Sequence, residues 1–271
     1  MKTMRFKTSR IVTLVSDFGT ADGYVGAMKG AMLTRAPNLK LVDVGHDIAP
    51  QDIEGGSAVI ATAAGTFPSG TVHLVVVDPG VGTSRDPIVI RANGQLFVGP
   101  DNGVFSSVLL AGSYEARCID LEGLCAAFLS GETSQTFHGR DIFAPIAALL
   151  SSRMLRFQEV GPCVEPVILA HPSITTTADY ICGVVVSIDR FGNCITNLCP
   201  ESLSVDFEWT QMVTISPDVT VPWVRTYGQV DSGEAVALVG SAGFLEIAVR
   251  DGSAAAGLNI HRGQAVRLRR I

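Results

Sequence analysis

Several turns of this chain carry an acid, a base or both where a strand-like run ends. SDFGTADGY (16–24) sets Asp17 directly after the apolar run 11–15 and before a helix-like run, DGYVGAMKGAML. A carboxylate at the carboxyl end of a buried strand faces the crevice where open α/β sheets take ligands. An ionised acid there can accept from both vicinal hydroxyls of a ribose; Asp17 or Asp22 would serve equally as a helix cap. VVVDPGVGTSR (75–85) ends a very apolar strand in Asp78 and returns through a Gly-rich loop to Arg85. The carboxylate and guanidinium are spaced to fold back and pair, either as a clamp on the loop or as a working ion pair. In TFHGRDIFAP (136–145), His138 stands where a helix begins, with Arg140 and Asp141 in its first turn. The positive end of a helix favours neutral imidazole, which suits a base or a hydrogen-bond donor.

Three more turns are chemically capable. VGPDNGVFS (98–106) contains Asp101-Asn102-Gly103, a turn placed to cap the following helix. In SIDRFGNCITN (187–197), Asp189 and Asn193 flank a Phe-Gly turn, and a carboxamide offers both donor and acceptor to an adenine edge or an amino-acid head group. GSAGFLEIAVRDGSAAA (240–256) places Glu246 inside an apolar strand, where an acid requires a fixed partner. His46 and His73 lie within or beside strands and read as satisfied interior histidines. A metal centre is not expected: there is no HExxH, no helically spaced His pair and no grouped cysteine.

These turns need a scaffold. The 271 residues are 47% hydrophobic and 17% charged, with positive mean hydropathy. Such a chain can bury two cores and leaves apolar surface for an obligate oligomer. The net charge of −6 argues against nucleic acid. No apolar run reaches the roughly 18 residues of a membrane span, and the run after the basic start stops at Asp17, too short for a signal peptide. Six cysteines without a CxxC pair read as free thiols of a cytoplasmic protein.

A strand-like run at 11–15 and the runs 39–45 and 71–78, continuous and β-branched as strands buried on both faces should be, alternate with helix-like 22–33 and 52–67. This predicts a parallel sheet with crossover helices. PIVIRAN–GQ–LFVGP (87–100) predicts a hairpin turning at Asn93-Gly94, and 139–152 predicts a helix with Pro145 in its first turns. From Tyr180 onward short alternating strands (CGVVVSID, QMVTISP, VPWVRTYG, EAVALVG, FLEIAVR, AVRLRR) predict a small β-barrel or sandwich. The expected organisation is an α/β domain at 1–165 with a mostly parallel sheet in three layers. A Pro-containing linker and a barrel-like all-β domain at 175–271 follow.

SDFGTADGYVGAMKG, VDPGVGTSR, PDNGVF, TFHGRDIFAP, DRFGNCITN and LEIAV, six motifs in order from about Ile11 to about His261, resemble the S-adenosylmethionine hydrolase family. Its members are also called S-adenosylmethionine hydroxide adenosyltransferases, and the fluorinases and chlorinases are their relatives. The resemblance implies an N-terminal α/β domain, a C-terminal barrel-like domain and a homotrimer with sites between subunits. It also implies metal-free, cofactor-free cleavage of S-adenosylmethionine into adenosine and methionine. By motif, Asp78, Arg85 and His138 would handle the attacking water, and Asp17 and Asn193 would hold adenosine. Asp189 would take the methionine ammonium; Ser241, Glu246 and a backbone group near Val249 complete the implied substrate contacts. The GSAG turn departs from the family's Asn-Ser form at Ser241, and neither the first ten residues nor the linker matches anything specific.

In this chemistry water attacks the ribose 5′-carbon in line, opposite the sulfonium, and neutral methionine leaves. Arg85 would stabilise the developing hydroxide while Asp78 or His138 takes the proton, with both ends of the substrate fixed in a near-attack geometry. Two rivals differ in class. A halogenase would lack the Asp/Arg/His set and carry an extra loop after the Asp78 region, for which 77–100 has no room. A non-catalytic sensor would bind the nucleoside and release no methionine.

Overall fold

The computed structural model describes residues 8–127, 133–170, 172–205, 211–215 and 219–269, with the side chains of 125–127 excepted. Most of the N-terminal basic cluster, Arg270, the end of QMVTISP and the Cys125 side chain lie outside the described residues. The chain forms two compact units, Met1–Leu169 and Ala170–Ile271.

The first unit is a six-stranded sheet between two helical layers. Its strands are β1 (Ile11–Ser16), β2 (Lys40–Gly45), β3 (Val72–Val76), β4 (Pro87–Ala92), β5 (Gln95–Pro100) and β6 (Tyr114–Cys118), in spatial order β2-β1-β3-β5-β4-β6. β2, β1, β3 and β5 run parallel, and β4 lies antiparallel between β5 and β6. Along β3 the pleat sends Leu74 and Val76 into one core and Val75 into the other. The first core is completed by α1 (Tyr24–Arg35) through Met28 and Met32, and by α5 (Ala144–Ser152) through Ile146, Ala147 and Leu150. The second is completed by α2 (Ile53–Ala64) through Ile60, and by α3 (Ser106–Leu110) through Val108 and Leu109. A short α4 (Leu121–Ala127) follows β6.

The β4–β5 hairpin turns where the sequence predicts. Asn93 and Gly94 both take left-handed φ, 49° and 74°, the pair of angles a two-residue type I′ turn demands. The run 139–152 is helical, but its first five residues, Gly139–Phe143, form a π-turn that passes into α5. β2 corrects an expectation: it is an edge strand, largely exposed, because apolar content alone does not separate an edge from a centre. The supposed linker is also partly built in. Val167 N donates to Asp101 Oδ1 and Leu169 N to Ser106 Oγ, both at 2.8 Å, so this stretch runs along the first unit.

In the second unit β7 (Thr175–Thr176) pairs β8 (Tyr180–Ile188) outside the main path. The path runs β11 (Val219–Pro222), β10 (Met212–Ile215), β14 (Ala265–Arg269), β8, β9 (Cys194–Thr196), β13 (Leu245–Val249), β12 (Ala235–Val239). Every ladder between these strands is antiparallel. A bridge between Trp223 and Ala237 joins the two ends, giving a nearly closed barrel filled by Ile181, Val185, Val213, Leu245, Ile247, Val266 and Leu268. Two short helices, α6 (Pro200–Leu203) and α7 (Ala254–Gly257), lie in its connections. VPWVRTYG is strand only to Pro222 and then bends into a 3-10 turn at Tyr227–Gln229. Among the described residues no helix is long and apolar enough to cross a membrane.

Candidate active site

Parallel pairing of β1 with β3, with Ser16 opposite Val76, brings two acidic turns to one edge of the sheet: Asp17 follows β1, and Asp78 follows β3 by two residues. The end of β3 is braced by Asn102, whose Nδ2 donates to Val77 O at 2.8 Å while its Oδ1 accepts from Val104 N at 3.1 Å. The Asp101-Asn102-Gly103 turn therefore fixes the strand end and does not cap α3, whose N-terminus has no side-chain cap.

After Asp78 the chain turns tightly, Val81 N reaching Asp78 O and Thr83 N reaching Gly80 O. Gly82 has φ +75°, and a Cβ on it would stand 2.5 Å from Gln135 O, so glycine lets this loop lie against the segment before His138. Arg85 returns onto Asp78 with Nε on Oδ1 at 3.0 Å and Nη2 on Oδ2 at 2.5 Å. The two side chains are 9% and 5% exposed, which makes this a buried bidentate pair. Arg85 Nη2 also lies 2.7 Å from His138 Nδ1, and the guanidinium sits 5.2 Å from the centre of the Phe143 ring. The pairing that the sequence spacing allows is thus made, with His138 as its third member.

This geometry sets the tautomer of His138. Arg85 can only donate, so Nδ1 must accept, and the neutral ring carries its proton on Nε2. Burial, with the adjacent Arg85 charge, holds the imidazole below its ordinary pKa, while Asp78 and Asp141 oppose that less strongly. Asp141 anchors the same segment by accepting from Ser134 N and pairing with Arg140.

Asp17 caps nothing, and neither does Asp22: α1 begins without a side-chain cap. Instead Asp17 Oδ2 accepts from Gln51 N at 2.8 Å. Three rings bind the Asp17 turn to the His138 turn, with centroids of Phe18–Tyr24, Phe18–Phe137 and Tyr24–Phe137 at 5.6, 5.8 and 5.3 Å. Sequence reasoning missed this trio and the Asn102 brace. Its available signal was that Phe18 and Phe137 each adjoin a predicted site residue. His46 and His73 are both buried; His73 is fully enclosed and bonded through Nδ1 to Thr13 Oγ1 at 2.7 Å, but its Nε2 is buried without a hydrogen-bond partner among the described residues, so only one side of that ring is satisfied.

In the second unit Asp189 Oδ1 accepts from Phe191 N and Asn193 N at 2.9 and 2.8 Å, and Oδ2 accepts from Asn193 Nδ2 at 2.9 Å. Asn193 therefore commits its amide nitrogen to Asp189. Glu246 has the fixed partner that the sequence requires, the Tyr227 hydroxyl, and Gly240 lies so close to its carboxylate that a Cβ there would stand 2.3 Å from Oε2. Burial first, then Glu246, pushes the Tyr227 phenol up to about 12. Ser241 is exposed on the turn between β12 and β13. Val249 ends β13, pairs with Ala235, and offers its carbonyl to Gly252 N. Among the described residues no three His, Cys, Asp or Glu side chains converge as a metal site.

Two family models match the chain. The S-adenosylmethionine hydroxide adenosyltransferase N-terminal domain covers residues 12–161, and the corresponding C-terminal domain covers 183–267. An (R)-S-adenosyl-L-methionine hydrolase of Thermus thermophilus is 38% identical over 96% of this chain and 99% of its own length. One of Salinispora tropica is 36% identical over 95% and 97%. The crystal structure of an uncharacterized conserved protein from Thermotoga maritima superposes with a TM-score of 0.87 at 36% identity, covering 95% of this chain and 99% of that one. A fluorinase of an Actinoplanes species is more distant, 28% identical over an alignment of 293 positions. That alignment is longer than the 271 residues here, so the fluorinase carries insertions relative to this chain. With the motif order, the sheet-edge geometry and two matched domains in agreement, this chain belongs to the S-adenosylmethionine hydroxide adenosyltransferase family.

Proposed function

We propose that the protein hydrolyses S-adenosyl-L-methionine to adenosine and L-methionine, without metal or cofactor, through Asp78, Arg85 and His138. The observation that carries this reading is the shared Nη2 of Arg85, which is bonded at once to a buried carboxylate and to an imidazole nitrogen. Water attacks C5′; the C5′–S bond breaks with its electron pair going to sulfur, and methionine leaves as a neutral thioether. As the C–O bond forms, the attacking oxygen becomes strongly acidic and must pass one proton to an acceptor. His138 Nδ1 has a single lone pair, already engaged by Arg85, so the ring offers the water only its Nε2–H. Each oxygen of Asp78 accepts one hydrogen bond from Arg85 and retains a second lone pair. Asp78 is therefore the proton acceptor, held in place by Arg85, while the His138 Nε2–H orients the water. Asp17 takes the ribose hydroxyls, and the Asn193 carbonyl oxygen accepts from the adenine amino group. Asp189, Ser241, Glu246 and the backbone at Val249 complete the substrate contacts.

The same reading makes the protein a cytoplasmic homotrimer whose subunits share each site, with no nucleic-acid or membrane partner. Incubation with S-adenosylmethionine in isotopically heavy water tests the chemistry: methionine should appear, with heavy oxygen in the adenosine 5′-hydroxyl. Halogenated nucleoside formed only with added halide would make the protein a halogenase. Tight binding without methionine release would make it a sensor. Loss of activity on chelation, restored by one metal, would end the metal-free reading, and a light-scattering mass of one chain in an active preparation would end the trimer.

A further inference from the structure

Beneath the Asp17 turn runs a chain of polar side chains that the hydrolysis leaves unused. Ser16, the last residue of β1, is fully enclosed, and its Oγ lies 2.8 Å from His46 Nδ1. His46, 4% exposed, presents Nε2 to Asp43 Oδ1 at 3.0 Å, and Asp43 Oδ2 accepts from Lys29 Nζ at 2.6 Å. Serine, histidine and acid in series resemble a nucleophile relay, but this serine has no exposed surface from which to attack anything.

The contacts are positional instead. A carboxylate can only accept, so Asp43 takes the Nε2–H and leaves Nδ1 to receive the Ser16 hydroxyl. The same segment grips the turn twice more: Gly19 N donates to His46 O at 2.8 Å, and Gln51 N donates to Asp17 Oδ2 at 2.8 Å. Gln51 adopts a left-handed φ of 67° to do so. Asp17 is thus bracketed by two residues tied to His46, while Gln51 occupies one carboxylate oxygen and leaves the other to a ligand.

We propose that His46, locked between Ser16 and Asp43, is a positioning residue that presets the Asp17 carboxylate for a vicinal diol. The proposal rests on the reading of Asp17 as the ribose acid, and a carboxylate held in one geometry discriminates a diol better than a mobile one. The test is calorimetric titration of the full-length protein with adenosine and with 2′,3′-dideoxyadenosine. The wild type should prefer adenosine by about tenfold or more, and Asp17→Ala should abolish the preference. His46→Leu should reduce it at least about threefold with kcat within about twofold of wild type, because the water-handling residues are untouched. His46→Asn, whose carboxamide reaches the place of Nδ1 and restores the Ser16 contact, should recover most of it. Ser16→Ala removes one oxygen only and should reproduce the His46→Leu loss even where the leucine variant folds poorly. Should Asp17→Ala abolish the preference while Ser16→Ala and His46→Leu keep it, the network is structural and this proposal fails alone. Should Asp17→Ala itself keep the preference, the ribose reading fails and takes this proposal with it.

Discussion

The sheet edge of the first unit and the turns of the barrel hold their polar groups by different means. At the sheet edge a charged pair is buried, each member oriented by the other and by a third side chain. Two strand ends, a glycine loop and an aromatic trio fix the backbone beneath. On the barrel, Asp189 and Asn193 sit in one local turn, tied by bonds spanning four residues or fewer, and Ser241 is exposed. Chemistry that must meet a developing charge needs donors that do not reorganise, which the first arrangement supplies. On the proposed reading the barrel turns recognise a flat base and an amino-acid end, for which local turns suffice.

The strongest way to break this contrast is to remove Arg85. Arg85→Ala should lower kcat at least about a thousandfold in single-turnover measurements, because Asp78, the proposed proton acceptor, loses its orientation and His138 its partner. Asp78→Ala should do as much, and pairing either with His138→Ala should cost little more if, as proposed, the three serve one water as a unit. Leaving Arg85 buried without its carboxylate also destabilises the fold, by about 3–5 kcal/mol, so each rate belongs beside a thermal unfolding curve. Normal turnover by Arg85→Ala would reduce the pair to a loop clamp.

On the barrel side the loss should fall on affinity. Asn193→Ala should weaken binding of a non-reactive substrate analogue about tenfold to a hundredfold, leaving a buried ligand donor unpaired, with the single-turnover rate at saturation close to wild type. A fall in rate at unchanged affinity would place Asn193 among the groups that act on the transition state and erase the division.

How much of this was legible differs between the two regions for the same physical reason. Asp78 and Arg85 are seven residues apart across a glycine loop, so their pairing follows from local chain geometry, as does the hairpin at Asn93-Gly94. Glu246 in an apolar strand declares that it needs a partner, but nothing local says that the partner is Tyr227, brought there by the barrel's own path. Gln51 N on Asp17 and Asn102 on Val77 depend on sheet order, which hydrophobic runs do not encode. The same limit made β2 read as a buried strand when it is an edge, and made the Asp101 turn read as a cap when it braces β3.

His138 sharpens the sheet-edge half of the comparison through pH. Its pKa lies below the ordinary histidine value, with burial as the largest cause and Arg85 next. In the proposed mechanism the working form is neutral, because a protonated Nδ1 cannot accept from Arg85. Activity should therefore be level through neutrality and fall on acidification only below pH 6.5, about tenfold per unit along that limb. An acid limb centred above pH 6.5 in the kcat profile would mean that the ring is not held as described.

The smallest expected effect concerns Tyr227, where the barrel most nearly imitates the sheet edge by pairing a buried acid with one fixed donor. Its phenol is held up to about 12 by burial and by Glu246, so it remains a donor throughout any working range. Tyr227→Phe removes that donor and should cost about 1–2 kcal/mol of stability, the penalty for an acid left short of one bond, with substrate affinity falling only a few-fold and kcat unchanged. The phenol also gives a direct readout. At pH 11 Tyr227 should still be protonated, so wild type and Tyr227→Phe, with four and three tyrosines, should show the same phenolate absorbance while folded. If the wild type shows one phenolate more at that pH, the Tyr227–Glu246 bond does not hold the carboxylate. Glu246 would then lack a fixed partner, and no fixed pair would remain among these barrel contacts outside the Asp189 turn.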